Sequence, residues 1–170
     1  MARIHSLVGT AFPEFILDSS FGQKISFGDL KGKWSVLFFY PKDDSPGCTV
    51  QSCRFRDDFS GYEKLGVQLF GVSSNGVGSH RRFAEKHGLP FPLLADVKGH
   101  LRTELKIPMS LGFLPGRATF IVDGEGIIRM AYNSQFRFKH HSKVALDFLR
   151  DNIDITAAQP TEPKTTQPFK

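Results

Sequence analysis

Cysteine is scarce in this sequence, and the chain does not need it for folding. The 170 residues include two cysteines, too few for the disulfide framework that stabilises small secreted domains. A chain of this length can bury roughly 70% of the surface of its unfolded form without a disulfide or a metal. Cys48 and Cys53 are therefore available for chemistry.

Long apolar runs and targeting signals are also missing. The longest apolar candidate, residues 34–40, has the length of a strand, whereas a membrane span needs about 18 residues. Residues 1–11 contain one arginine and no long apolar stretch, unlike a secretory signal. We therefore expect a soluble protein, and the missing targeting signal fits a bacterial cytoplasm, with a processed chloroplast protein as the alternative.

Charge of one sign is nowhere concentrated. The chain carries 22 Lys and Arg against 17 Asp and Glu, a net charge of +5, and its basic residues are scattered. Nucleic-acid-binding proteins usually gather lysine and arginine on one stripe. We therefore predict neither a nucleic-acid partner nor a membrane partner.

Apolar runs and turn residues alternate in a pattern typical of an α/β domain. The predicted strands are residues 15–17, 24–27, 34–40, 67–72, 92–95, 118–122 and 127–132, and the predicted helices are residues 47–65, 79–87, 100–105 and 142–153. This order predicts a central mixed β-sheet flanked by helices, with an N-terminal β-hairpin. We expect one domain over residues 1–155 and a disordered tail rich in proline and threonine over residues 156–170.

The residues that suggest chemistry are concentrated between Tyr40 and Cys53, where a buried strand leads into a helix. Cys48 falls in the first helical turn, where free backbone N–H groups and the helix dipole favour a thiolate over a thiol. Ser45 can aim its hydroxyl at the sulfur or at a substrate bound beside it. Arg117, at the start of a predicted strand, can bring a fixed cation to the same place.

Cys53 lies five residues after Cys48 on the same predicted helix. That offset corresponds to a rise of about 7.5 Å and a turn of about 140°. Two cysteines form a disulfide only when their Cα atoms lie within about 7 Å and their side chains converge. A disulfide between these two thiols would therefore require the start of the helix to unwind.

The cysteines also have simpler interpretations. A free cysteine is most often a small buried apolar residue, and this applies to Cys53 taken by itself. A zinc site would need two more ligands from six histidines, none of which forms a partner pair near the cysteines. A thioredoxin-type carrier would need a Cys-x-x-Cys spacing, and Cys48 and Cys53 do not have it. We expect neither a metal nor a cofactor.

The polar residues near the cysteines allow similar alternatives. Asp43 and Asp44 suggest paired carboxylates, but next to Ser-Pro-Gly they are more typical of a solvated turn. Gln51 can bond to the helix start or face water. His140 and His141 are expected to be solvated.

The active-site segment carries a family resemblance. Residues 39–49 (FYPKDDSPGCT), with Cys53 and residues 54–57 (RFRD) behind them, closely resemble the active-site stretch of the peroxiredoxin Q family, also called bacterioferritin comigratory protein. Similarity to its plant and cyanobacterial branch continues at residues 71–73, 79–80, 83–84, 89–91, 115–117, 132–133 and 135–136. It spans roughly residues 11–150 and implies a thioredoxin-like fold.

The resemblance also implies roles for individual residues. Pro41 would shield the thiolate of Cys48 from water, Ser45 would bond to the peroxide, and Arg117 would hold both thiolate and substrate. Cys53 matches the resolving position, which implies an intramolecular disulfide with Cys48 in a monomer that thioredoxin reduces. Ser45 stands where threonine is commoner, so it keeps the hydroxyl but lacks the methyl group that fixes the rotamer.

The function implied by the resemblance is that of an antioxidant enzyme. Such a thiol-dependent peroxidase reduces hydrogen peroxide and organic hydroperoxides to water or alcohols through a sulfenic acid on Cys48. The alternative is a non-enzymatic peroxide sensor or binding module that is switched by oxidation of Cys48. Steady turnover with thioredoxin would distinguish the enzyme from the sensor.

Overall fold

A computed structural model describes residues 4–110 and 112–153 of the chain. Its strands are β1 (Ile16–Asp18), β2 (Lys24–Ser26), β3 (Ser35–Phe39), β4 (Gln68–Ser73), β5 (Leu93–Ala95), β6 (Met109–Ser110), β7 (Leu114–Pro115), β8 (Ala118–Val122) and β9 (Ile128–Asn133). Its α-helices are α1 (Pro46–Asp57), α2 (Phe59–Lys64), α3 (Val77–His87), α4 (His100–Glu104) and α5 (His140–Asn152). Short 3-10 helices lie at Ile4–Leu7 and Phe27–Leu30.

Five strands form the central sheet in the order β5-β4-β3-β8-β9. Strands β3, β4 and β5 are parallel, whereas β8 is antiparallel to both β3 and β9. Every residue of β3 is buried, as expected for a central strand covered on both faces. The predicted mixed sheet and the antiparallel N-terminal hairpin of β1 and β2 are confirmed.

The alternation of side chains along β3 separates two apolar layers. Leu37 and Phe39 face one layer, which includes Leu101 of α4 and residues of the N-terminal hairpin. Val36 and Phe38 face the other layer, to which the helices α1, α2, α3 and α5 contribute. The predicted helices on both faces of the sheet are therefore confirmed.

The long helix predicted over residues 47–65 is interrupted. It begins at Pro46 and is divided into α1 and α2 at Asp58. The Asp58 carboxylate accepts hydrogen bonds from Nε of Arg54 and from Oγ of Ser142, each 2.8 Å long. Ser142 also contacts the hydroxyl of Tyr62, so a polar cluster fixes this helix break to α5.

The remaining helix boundaries shift by a few residues. α3 begins at Val77, two residues before the prediction, ends at His87 and is capped by Gly88, whose φ of 59° is the left-handed conformation that favours glycine. The predicted tail, residues 156–170, lies outside the described residues. Among the helices that the structure describes, none combines the length and apolar character that crossing a membrane requires.

Candidate active site

Cys48 lies in the first turn of α1, just beyond the end of the central strand β3. Ser45 is the extended N-cap residue of this helix, and Pro46 takes a first-turn position, where its missing N–H costs nothing. The Cys48 side chain has no exposed surface. The sulfur is therefore placed near unpaired N–H groups of the helix start and away from bulk water.

Arg117 reaches the sulfur from the neighbouring strand. Residue Ala118 pairs with Phe39 across β3 and β8, so the residue before β8 lies beside the segment that leads to α1. Nη1 of Arg117 donates a hydrogen bond of 3.2 Å to Sγ of Cys48. The structure thus brings together two residues that are 69 positions apart in the sequence.

Three further contacts hold the Arg117 guanidinium. Nε donates to the carbonyl of Gln135 at 3.0 Å, and Nη1 also donates to Oε1 of Gln51 at 2.9 Å. The ring of Phe138 lies 4.7 Å from the guanidinium carbon, a cation–π contact. Side chains from α1 and from the segment before α5 therefore fix the cation opposite the sulfur.

Gln51 is fully buried on the side of α1 that carries Cys48, because residues three apart share a helix face. It neither faces water nor bonds to the helix start, since its Oε1 accepts from Arg117. Its Nε2 is buried and has no hydrogen-bond partner within the described part of the chain. The side chain is thus committed to orienting the guanidinium.

Ser45 and Pro41 lie close to Cys48 in sequence, and within residues 4–110 and 112–153 neither is hydrogen-bonded to its sulfur. The hydroxyl of Ser45 donates to the carbonyl of Lys42 at 3.0 Å, while the Ser45 carbonyl accepts from Oγ1 of Thr49 at 2.9 Å. Pro41 is half-buried directly after Tyr40. The hydroxyl of Ser45 therefore has to leave the carbonyl of Lys42 before it can donate a hydrogen bond to a substrate at the sulfur.

Cys53 is half-buried on the same continuous helix as Cys48, and both thiols are free. The intact α1 keeps the two thiols five residues apart along the helix, so a disulfide between them needs a local unwinding. Within residues 4–110 and 112–153, no three His, Cys, Asp or Glu side chains gather in a group that could hold a metal ion.

The solvated turn predicted at Asp43 is wrong. Its carboxylate is buried and accepts hydrogen bonds from the hydroxyls of Tyr40 at 2.7 Å and Ser79 at 2.8 Å, and Nδ1 of His80 lies 2.8 Å away. Nε2 of His80 is 3.0 Å from the carbonyl of Leu94. These contacts fasten the loop before Cys48 to α3 and β5.

The protonation of this cluster follows from its contacts. Burial by itself raises the pKa of Asp43, but the hydrogen bonds and the charge of His80 outweigh it, so the pKa lies below 3.8. Burial and the Asp43 carboxylate raise the pKa of Tyr40 well above 10. Tyr40 is therefore a donor and Asp43 an ionised acceptor at neutral pH.

The expectation that His141 is solvated is also wrong. The side chain is fully buried, with Nδ1 2.9 Å from the hydroxyl of Thr119 and Nε2 2.8 Å from the carbonyl of Ser134. Burial lowers the pKa of His141 to about 4, so the ring is neutral at pH 7. Because Nε2 donates to Ser134, His141 anchors the segment whose Gln135 carbonyl holds Arg117.

Sequence comparisons place these residues among known relatives. The AhpC/TSA family matches residues 8–131. The chain is 40% identical over 144 residues to the chloroplastic peroxiredoxin Q of Triticum aestivum, covering 84% of this chain and 66% of that protein. It is 40% identical over 143 residues to the chloroplastic peroxiredoxin Q of Sedum lineare, covering 84% of this chain and 77% of that protein. The chain thus spans about two thirds or somewhat more of these relatives.

Solved structures share the same architecture. Peroxidoxin BcpB from Mycobacterium tuberculosis superposes with a TM-score of 0.79 at 29% identity, covering 86% of this chain and 98% of that chain. Peroxiredoxin Q from Xanthomonas campestris superposes with a TM-score of 0.76 at 28% identity, covering 81% of this chain and 90% of that chain. The likeness extends over most of the domain and is not restricted to the segment around Cys48.

Proposed function

Because the chain belongs to the AhpC/TSA family, among its peroxiredoxin Q members, we propose that it is a thiol-dependent peroxidase with Cys48 as the attacking residue. The observation that carries the proposal is the 3.2 Å contact between Sγ of Cys48 and Nη1 of Arg117 at the start of α1. A neighbouring cation and a helix N-terminus both favour the thiolate. The thiolate is the nucleophilic form of cysteine.

In the first step, the Cys48 thiolate attacks the terminal oxygen of a hydroperoxide. A sulfur–oxygen bond forms as the O–O bond breaks, so the sulfur is oxidised to a sulfenic acid and the peroxide is reduced. The leaving oxygen takes up a proton and departs as water or an alcohol. Arg117 stabilises the negative charge that develops on this oxygen, Ser45 binds the peroxide after its hydroxyl leaves Lys42, and Pro41 shields the thiolate.

Substrate entry requires a small local movement, because Cys48 has no exposed surface. The half-buried ring of Phe138 lies over Arg117. It also approaches Gly47, since a β-carbon added there would lie 2.7 Å from the ring. We propose that displacement of this ring admits the peroxide, which then meets Arg117 and the sulfur together.

In the second step, the Cys53 thiolate attacks the sulfur of the sulfenic acid. A disulfide forms, and the hydroxide leaves as water after taking up a proton. The first turns of α1 must unwind for the two sulfurs to meet. A dithiol reductant such as thioredoxin then returns both cysteines to thiols, and the disulfide should be readily reducible because it forms only when the helix start is unwound.

The proposed cycle needs one chain, because Cys48 and Cys53 lie on the same helix. We therefore propose a monomer, which size-exclusion chromatography with light scattering can test. We propose a bacterial cytoplasm as the compartment. The chloroplastic names of the plant relatives support the chloroplast as the alternative.

The deciding experiment compares two substitutions in a coupled assay with thioredoxin, thioredoxin reductase and NADPH. Cys48→Ser should abolish peroxide consumption, whereas Cys53→Ser should consume one equivalent and form no internal disulfide. Mass spectrometry of each oxidised form identifies the product. Full activity of Cys48→Ser would refute the proposal, and a single oxidation of the unsubstituted protein with slow recovery would favour a sensor instead.

Hydrogen exchange tests the unwinding separately. We expect amide exchange in residues 47–57 to be faster in the disulfide form than in the reduced form, because exchange reports local opening of helices. The amides of β3 serve as the internal control, since this strand lies at the centre of the sheet. Equally slow exchange of residues 47–57 in both forms would exclude the unwinding step.

A further inference from the structure

A second arginine lies buried beneath the proposed active site. Arg102 of α4 is 7% exposed. Its Nη1 donates to the carbonyl of Gly116 at 2.9 Å, and its Nη2 donates to the carbonyl of Tyr40 at 3.2 Å. The guanidinium carbon lies 6.0 Å from the centre of the Phe39 ring. The planar group is therefore held in one orientation.

The two carbonyls that Arg102 binds occupy informative positions. Tyr40 directly precedes Pro41, and Gly116 directly precedes Arg117. The Arg102 guanidinium therefore connects the backbone carbonyls that directly precede Pro41 and Arg117, the residues proposed to shield and to bind the Cys48 thiolate. A lysine would lack this rigid planar fork, because its ammonium is a compact charge on a flexible stem.

The contact between Arg102 and the Gly116 carbonyl depends on the absence of a side chain at residue 116. A β-carbon on residue 116 would lie 2.0 Å from the carbonyl oxygen of Pro108. A side chain at this position would therefore push the backbone away from Pro108 and shift the carbonyl that Arg102 binds. Glycine allows the close approach that presents this carbonyl to the guanidinium.

Among the described residues, the guanidinium of Arg102 contacts carbonyl oxygens and no carboxylate. The structure contains no ion pair to Arg102 among the residues it describes. Burial lowers the pKa of Arg102, while the negative charges of Asp96 and Cys48 raise it. A buried cation without a contacting anion is costly. An anionic Cys48 reduces that cost and is stabilised in return, because the interaction between opposite charges is mutual.

We propose that Arg102 is a positioning residue for the peroxidase reaction, which holds the backbone before Pro41 and Arg117 through two carbonyl contacts and adds a second buried positive charge to the surroundings of the Cys48 thiolate. The inference rests on the proposed function for its role in catalysis. Its structural part rests on the contacts of the guanidinium with two carbonyls. The two effects can be separated, because one depends on the planar fork and the other on the charge.

The test uses Cys53→Ser as the background, so that Cys48 is the single thiol. Three variants are compared in it: Arg102→Gln, which removes the charge, Arg102→Lys, which keeps the charge and loses the fork, and the exposed Arg82→Gln as the control. Two quantities are measured by mass spectrometry. One is the second-order rate of Cys48 oxidation by hydrogen peroxide, and the other is the pH dependence of Cys48 alkylation by iodoacetamide.

We expect Cys48 of Arg102→Gln to be oxidised about tenfold more slowly. The midpoint of its alkylation profile should rise by about one pH unit, because a tenfold change in the ionisation equilibrium corresponds to one unit. Arg102→Lys should oxidise slowly as well but keep its midpoint closer to that of the background protein. Arg82→Gln should change neither quantity. Rates are expressed per folded molecule, measured by circular dichroism under the same conditions.

Two outcomes would overturn the inference. One is an oxidation rate and an alkylation profile of Arg102→Gln that match the background. The other is a lower melting temperature of the Arg102 variants with unchanged rates per folded molecule, which would reduce Arg102 to a structural residue. If the unsubstituted protein fails to consume peroxide, the proposed function falls instead, while the alkylation profiles still measure the charge effect of Arg102.

Discussion

Replacing Asp43 by asparagine removes a negative charge from the buried cluster that fastens the loop before Cys48. The Asp43 side chain is 1% exposed, the His80 side chain is 0% exposed, and the two lie 2.8 Å apart. Asparagine has almost the same shape as aspartate, but its amide presents N–H donors where His80 and Ser79 also donate. The substitution therefore leaves at least one donor without an acceptor and leaves His80 without its anion.

The expected loss of stability follows from the burial of the pair. Removing the charged partner of a buried, hydrogen-bonded pair and leaving the other group unpaired costs about 3–5 kcal/mol. Asparagine retains one carbonyl acceptor for Tyr40, so we expect the lower end, about 3 kcal/mol. For a domain of this size, about 1 kcal/mol corresponds to a shift of roughly 2–4 °C in the melting temperature. Asp43→Asn should therefore melt about 6–12 °C below the unsubstituted protein.

Urea unfolding at pH 7 gives the free energy of unfolding for Asp43→Asn, His80→Gln and the double variant. The coupling energy of this cycle should be at least about 1 kcal/mol, because the two side chains are in direct contact. Asp44→Asn is the matched control. Its side chain is 53% exposed and its ion pair with Lys86 is on the surface, so it should cost less than about 1 kcal/mol.

The pH dependence gives the sign of the same effect. The pKa of Asp43 is lower in the folded protein than in the unfolded chain, so its stabilisation is present above about pH 3.9 and is lost as the pH falls through the folded-state value. Asp43→Asn should lack this component of acid sensitivity. A cost below about 1 kcal/mol with no coupling to His80 would refute the account of this cluster.

Three further predictions concern the site. Gly47→Ala would place its β-carbon 2.8 Å from Nη2 of Arg117, so we expect peroxide reduction to fall at least about tenfold with little change in the melting temperature. Arg117→Lys keeps the charge but cannot reproduce the planar contacts, and stopped-flow measurement should show Cys48 oxidising about 10- to 100-fold more slowly. His141 has a pKa of about 4 in the folded protein against 6.5 in the unfolded chain, so the neutral ring stabilises the fold by up to about 3 kcal/mol, and this is lost as the pH falls from about 6.5 to 4. Urea unfolding of His141→Gln should therefore depend less on pH than unfolding of the unsubstituted protein. An equal pH dependence of the two proteins, or unchanged rates of Gly47→Ala and Arg117→Lys, would contradict these expectations.

Sequence periodicity was sufficient to predict the central sheet but not the break between α1 and α2. The run of apolar residues in β3 predicts a strand covered on both faces, because it is short, rich in aromatic residues and ended by Pro41. The division between α1 and α2 at Asp58 has a different origin. It depends on Ser142, which is 84 residues away in the sequence, and no local pattern reports a contact over that distance.

The site shows the same division between local and distant information. The position of Cys48 at a helix start could be predicted, since Ser45, Pro46 and the preceding strand are neighbours in sequence. Asp43 was misassigned because an acidic residue next to proline and glycine is usually solvated. One signal for its partner was present: His80 lies three residues before Phe83, on the apolar face of α3, and this spacing indicates burial.

The helix that carries both cysteines is anchored differently at its two ends, and this difference bears on the proposed disulfide. At its start, α1 is held by contacts of Arg117 with Cys48 and Gln51. At its end, the cluster of Asp58 and Ser142 ties it to α5. In the proposed cycle, oxidation of a Cys48 thiolate to a neutral sulfenic acid removes the anion from the first anchor and leaves the second unchanged. Unwinding is therefore favoured from the N-terminal end and should stop before Asp58, which keeps Cys53 within reach of the sulfur that it attacks.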